Sequence, residues 1–122
     1  MPAENMPVAP LAVDVRRTPS RVAVCVLSGD LDIETLAPAR EALDLLVAER
    51  PRTLVVDLGQ VDFCDSSGLN LLLQTRMAAA DGGISFQLAA LSGPVQHLLE
   101  LTGAMAVFTV HDTVDAAVAA SG

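Results

Sequence analysis

The stretch from Leu54 to Leu73, L-V-V-D-L-G-Q-V-D-F-C-D-S-S-G-L-N-L-L-L, passes directly from an apolar run, through an acidic segment, into a leucine-rich helical pattern. A strand joined this closely to a helix favours layered α/β packing, because each element must bury its apolar side against the other. Leu54-Val55-Val56, bounded by Asp57, Gly59 and Gln60, suits a buried strand ending near Leu58. From Asp65-Ser66-Ser67-Gly68 onward, Leu69, Leu72, Leu73, Arg76 and Met77 recur at the i, i+3, i+4 spacing of one helix face. This predicts a helix from about Ser66 to Ala80.

The same alternation extends along the chain. Leu11 to Val15 and Val22 to Leu27 read as a hairpin across Arg16-Arg17-Thr18-Pro19-Ser20. Leu36, Ala39, Leu43 and Leu46-Val47 stripe a helix from about Glu34 to Ala48, and Pro51 stops it. After Asp81-Gly82-Gly83, Ile84 to Ala89 alternates as a strand does. Ser92-Gly93-Pro94 opens another helix, with Val95, Leu98 and Leu99 facing inward and Gly103 as its C-cap. Val107 to Val110 is the last strand, and Thr113 to Ala120 a short terminal helix with Val114, Ala117 and Val118 inward. The order β-β-α-β-α-β-α-β-α predicts a single α/β domain over residues 11–122, preceded by a flexible arm over 1–10. Its sheet is mostly parallel, with an antiparallel N-terminal edge strand and about four helices.

Composition removes whole classes of function. All seven basic residues are arginine, so a Walker A lysine, a protein-kinase lysine and Schiff-base chemistry are absent. The formal charge of −8 disfavours nucleic acid and anionic bilayers as partners and favours proteins with basic or mixed surfaces. No apolar stretch is long enough to span a membrane, and residues 1–10 lack the pattern of a signal peptide, which predicts a cytoplasmic protein. Cys25 and Cys64 lie far apart among apolar residues, the pattern of buried free thiols rather than of a redox or zinc motif. A core without tryptophan or tyrosine must be built from aliphatic side chains.

Functional loops of open α/β sheets gather beyond the carboxyl ends of the strands. The segments Gly29 to Ile33 and Val61 to Ser67 are therefore expected side by side, with Asp30, Asp32, Asp62 and Asp65 near Ser66. Asp and Ser at the helix start read first as N-caps, each worth about 0.5–2 kcal/mol. The same helix end tolerates a phosphate on Ser66 or Ser67, which would add nearly two negative charges beside Asp65 and Asp62. If Ser67 is the cap, Ser67→Ala should cost about 1 kcal/mol. Two other readings compete with this one. The carboxylates suit a magnesium ion as in a phosphorylated receiver domain, but the lysine such domains use late in the chain is missing. A serine hydrolase needs a base beside its nucleophile, yet His97 falls within a helix, His111 follows a strand, and Ser66 has no G-x-S-x-G elbow.

Three segments taken in order resemble the STAS-domain anti-sigma-factor antagonists of bacteria. They are Ser28-Gly29-Asp30-Leu31-Asp32, the run from Leu54 to Leu73 centred on D-S-S-G-L, and V-Q-H-L-L-E-L-T-G from Val95 to Gly103. The resemblance extends from about Leu11 to the C-terminus. It implies that Ser66 is the phosphorylated residue, that Asp65, Ser67 and Gly68 support it, and that no cofactor, metal or catalytic residue is needed. It further implies partner contacts from Asp30, Asp32, Asp62, Asn70 and Leu69, the last being either core or interface. The partners implied are an anti-sigma factor with serine-kinase activity and a serine phosphatase, in a regulator of transcription. Two residues depart from the family pattern: Asn70 stands where a second glycine is common, and Cys64 where methionine or another apolar residue is frequent. The same resemblance leaves open a non-switching STAS subunit of a transporter-associated or signalling complex.

Overall fold

The computed structural model describes residues 11–121; the arm expected over 1–10 lies outside them. The elements are β1 (Ala12–Arg17), β2 (Val22–Leu31), α1 (Ala37–Glu49), β3 (Thr53–Cys64), α2 (Ser66–Asp81), β4 (Ser85–Ala89), α3 (Gly93–Thr102), β5 (Thr109–His111) and α4 (Val114–Ser121). A short 3-10 turn, Ala104–Ala106, precedes β5. It displaces the last strand from the predicted start at Val107, which is left exposed.

The sheet order is β1-β2-β3-β4-β5, with β1 antiparallel to β2 and the remaining pairs parallel. Each parallel strand lies next to its predecessor, so right-handed crossovers carry α1, α2 and α3 to the same face. The main core forms there from Leu27, Leu31, Leu43, Leu46, Leu54, Leu58, Leu72, Leu88 and Leu99, all at most 1% exposed. On the opposite face α4 packs Ala117 against Val22, Val24, Val55 and Ala89. The first part of β3, Thr53 to Val56, is buried on both faces, and Leu54 to Val56 reads as the unbroken apolar run expected of a central parallel strand.

Two expectations need correction. β2 and β3 do not end at Leu27 and Leu58; they stay paired as far as Leu31 and Cys64 through two register shifts, between Val26 and Ser28 and between Gly29 and Asp30. The extra residues of such bulges break the two-residue alternation. From Leu58 onward the buried positions of β3 are Leu58, Val61 and Cys64, every third residue, a spacing that reads as loop when only alternation is sought. Gly29, at φ 114°, supplies a backbone shape that residues with a Cβ avoid.

The second correction concerns α2. Its buried face is Gly68, Leu71, Leu72, Thr75 and Ala79, whereas Leu69 and Leu73 are half-buried and Met77 is 65% exposed. With leucine at positions 69, 71, 72 and 73 the period is ambiguous by one residue, and packing against α1, β3 and β4 decides it. In α1 the buried Ala39, Leu43 and Leu46 match the predicted stripe.

Both cysteines are buried free thiols. Burial, with a smaller contribution from Asp14, pushes Cys25 up to about 12. Burial and then Asp65 push Cys64 up to about 11. Both thiols are therefore protonated and poor nucleophiles near neutral pH.

Candidate functional site

β3 delivers the chain to α2 with a single residue, Asp65, between them. Asp65 is the N-cap, with extended backbone, and its Oδ1 accepts the amides of Ser67 at 2.9 Å and Gly68 at 3.2 Å. Its own amide donates to the carbonyl of Leu31 at 3.3 Å, which ties the helix start to the end of β2. Ser66 follows as the first helical residue and is exposed.

Gly68 completes the anchor. A Cβ there would lie 2.5 Å from the Leu31 carbonyl oxygen, 2.8 Å from Cys64 Sγ and 2.9 Å from Leu31 Cγ. No side chain fits, so β2 approaches the first turn of α2 closely and holds it against the sheet. The Cys64 thiol that lines this contact also reaches the Asp65 carbonyl at 3.6 Å.

The capping geometry changes the electrostatic picture drawn from sequence. The Ser67 and Gly68 amides are bonded to Asp65, and the Leu69 amide to the Asp65 carbonyl at 3.1 Å. A phosphate on Ser66 would meet amides already engaged and a carboxylate already present, so its charge would be directed outward. The cap is thus Asp65, not Ser67. Asp65→Ala is expected to lower stability by about 1–2 kcal/mol and Ser67→Ala by less than about 0.5 kcal/mol, as read by urea denaturation.

The four acidic residues are brought to one end of the sheet, but they do different things. Asp32 Oδ1 accepts the amides of Glu34 at 3.0 Å and Thr35 at 3.1 Å and the Thr35 hydroxyl at 3.0 Å. The Thr35 hydroxyl also bonds the Asp30 carbonyl. Asp32 therefore shapes the turn into α1. Asp30 lies in β2 opposite Phe63, and Asp62 lies exposed in β3. Among the described residues, no three His, Cys, Asp or Glu side chains converge as metal ligands. Asn70 is exposed on α2, while Leu69 is half-buried and packs against the main core.

Two exposed apolar residues of this end escaped the sequence reading. Ile33 is 71% exposed after β2 and Phe63 49% exposed in β3, opposite Asp30. Phe63 follows an aspartate in a segment read as an acidic loop, so only its place on a paired strand marks it as a surface aromatic. His97 is exposed on α3, and His111 sits in β5, two strands from β3.

The STAS-domain family model matches residues 13–117. The chain belongs to the STAS-domain family. This STAS domain is 33% identical over 95 residues to the anti-sigma-F factor antagonist RsfB of Mycobacterium tuberculosis, a match covering 75% of this chain and 77% of that protein. The crystal structure of an anti-sigma factor antagonist from Mycobacterium paratuberculosis superposes with a TM-score of 0.82 at 29% identity, covering 91% of this chain and 93% of that one. At lower identity the likeness is one of fold. SpoIIAA in its unphosphorylated form gives a TM-score of 0.73 at 19% identity, covering 88% and 93% of the two chains. SpoIIAA of Bacillus is also solved in its phosphorylated form, with a TM-score of 0.72 at 18% identity, covering 91% of this chain and all of that one. Among the described residues no helix is long and apolar enough to cross a membrane.

Proposed function

We propose that this STAS domain is an anti-sigma factor antagonist of the cytoplasm. Its unphosphorylated form binds an anti-sigma factor and so frees a sigma factor for transcription; phosphorylation of Ser66 turns the binding off. The observation that carries this reading is the exposed Ser66 at the first position of α2, on a helix start whose amides are already bonded to Asp65. A phosphate there adds charge to the partner-facing surface without needing to rearrange the fold. The occurrence of the same fold in unphosphorylated and phosphorylated SpoIIAA supports the second point.

The kinase activity belongs to the anti-sigma factor, and a separate serine phosphatase resets the switch. Asp30, Asp62 and Asn70 form the polar rim of the docking surface, with Ile33, Phe63 and the exposed part of Leu69 as its apolar contacts. Asp32 contributes by holding the turn after β2 in shape. An apolar centre within a charged rim is the usual anatomy of such surfaces, with aromatic residues carrying a large share of the energy.

The test is site mapping by mass spectrometry on protein taken from its native cells, before and after phosphatase treatment. One phosphate on Ser66 that disappears on treatment is the expected result. Unmodified protein under several growth conditions would instead favour a non-switching STAS subunit of a larger complex.

A further inference from the structure

The net charge of −8 conceals a strongly polar distribution. Five of the seven arginines, Arg16, Arg17, Arg21, Arg50 and Arg52, come from the end of β1, the β1–β2 turn and the α1–β3 connection. The fold gathers them at the end of the sheet opposite Ser66. β3 starts among them at Thr53 and runs the length of the sheet to Cys64, roughly 35 Å at the usual rise per residue.

Hydrogen bonds to backbone carbonyls hold the cluster together. The Arg52 amide donates to the Arg21 carbonyl at 2.8 Å, and Arg21 Nη2 donates to the Arg50 carbonyl. Arg17 bonds Glu49 at 3.0 and 2.7 Å and Arg16 bonds Asp14 at 3.2 Å, and Arg16 shares a groove with Asp57 and Asp115. Arg21, Arg50 and Arg52 have no carboxylate partner among the described residues. Arg17, Thr18, Arg21, Glu49 and Pro51 line a cavity of about 210 Å³.

The backbone supplies an independent observation. Arg21 has φ 65° and Arg50 φ 54°, both in the left-handed region. One closes the β1–β2 turn and the other caps α1, and at both places glycine is the residue of least strain. Arginine at each costs conformational ease and gains a guanidinium, that of Arg21 lining the cavity and bonded to the Arg50 carbonyl. Such a trade of stability for a charged group is characteristic of binding sites.

We propose that this arginine pole docks an acidic segment of a protein partner, through carboxylate side chains seated on Arg21, Arg50 and Arg52. Guanidinium forks pair with carboxylates at short range and in two-point geometry. That suits a local contact on a molecule whose net charge is −8, a field that repels extended polyanions such as nucleic acid or an anionic bilayer. Because the pole and the Ser66 surface lie at opposite ends of β3, both can be engaged at once. The inference does not depend on phosphorylation of Ser66.

The test is an NMR titration of the full chain, labelled at arginine Nε, with a hexaglutamate peptide as probe. The expected result is a set of shifts confined to Arg17, Arg21, Arg50 and Arg52, with binding weakened about tenfold between low and physiological salt. The double variant Arg50→Gly/Arg52→Gln should bind the peptide about tenfold more weakly, since 1.4 kcal/mol of lost contact is tenfold. Its Tm should be unchanged or higher, because glycine suits the left-handed cap. Shifts scattered over all seven arginines, equal affinity of the variant, or tighter binding of phosphatidylserine vesicles than of the peptide would overturn the proposal.

Discussion

Ser66→Asp is expected to weaken binding to the cognate anti-sigma factor by roughly 30- to 150-fold, whereas Ser66→Ala binds as the wild type does and resists inactivation. The range corresponds to about 2–3 kcal/mol, the scale of one uncompensated charge taken into an interface. The mimic supplies one negative charge where a phosphate supplies nearly two, so the phosphorylated protein should be weaker still. The position makes the experiment clean. Ser66 is exposed at the first position of α2, where an acidic residue complements the positive end of the helix dipole. Ser66→Asp should therefore unfold at the same urea concentration as the wild type or slightly above it, and a loss of affinity cannot be traced to misfolding. Calorimetric titration against an anti-sigma factor captured with Ser66→Ala provides the measurement. Equal affinity for wild type and Ser66→Asp, together with no phosphate transfer to Ser66, would sink the proposed switch.

The largest stability effect is expected at Gly68. In Gly68→Ala the new methyl would sit 2.5 Å from the Leu31 backbone oxygen, which is held in a paired strand and cannot move away as a flexible side chain would, and 2.8 Å from the sulfur of the buried Cys64 side chain. Overpacking of this kind costs about 3 kcal/mol, the upper part of the usual range. For a chain of this size that is a fall in Tm of about 10–15 °C. Relief requires α2 to lift from Leu31, which would also displace Ser66 and strain the Asp65 cap. The variant should therefore lose partner affinity as well as stability. Thermal unfolding followed by circular dichroism decides the first point; a Tm within about 3 °C of the wild type would show that the β2–α2 contact yields more easily than its geometry indicates.

Much of this architecture was legible because its signals are local. Leu54-Val55-Val56 is buried and apolar with no charged interruption, as a central strand must be, and Ala39, Leu43 and Leu46 repeat at the helical period. Gly103 at φ 76° ends α3 where a glycine after an apolar stripe predicts a cap. D-S-S-G marked the start of α2 because short polar side chains there compete for amides that have no partner within the helix. It did not reveal which of them wins. Asp65 Oδ1 holds two amides, a choice set by the extended backbone that β3 imposes on Asp65.

Chain order and local chemistry thus determined the kinds of elements, their succession, the aliphatic core, the exclusion of lysine chemistry and the candidate serine. Tertiary structure decided the rest. The bulged extension of β2 along β3, the face that α2 buries, the contact of Leu31 with Gly68 and the exposure of Phe63 all depend on pairing between segments distant in sequence. So does the arginine pole: five like charges in three segments of an acidic chain become one surface only when the sheet brings Arg21 against Arg50 and Arg52. Periodicity records which side of its own element a residue occupies. What faces it is set by register, and register is fixed by long-range hydrogen bonds and packing.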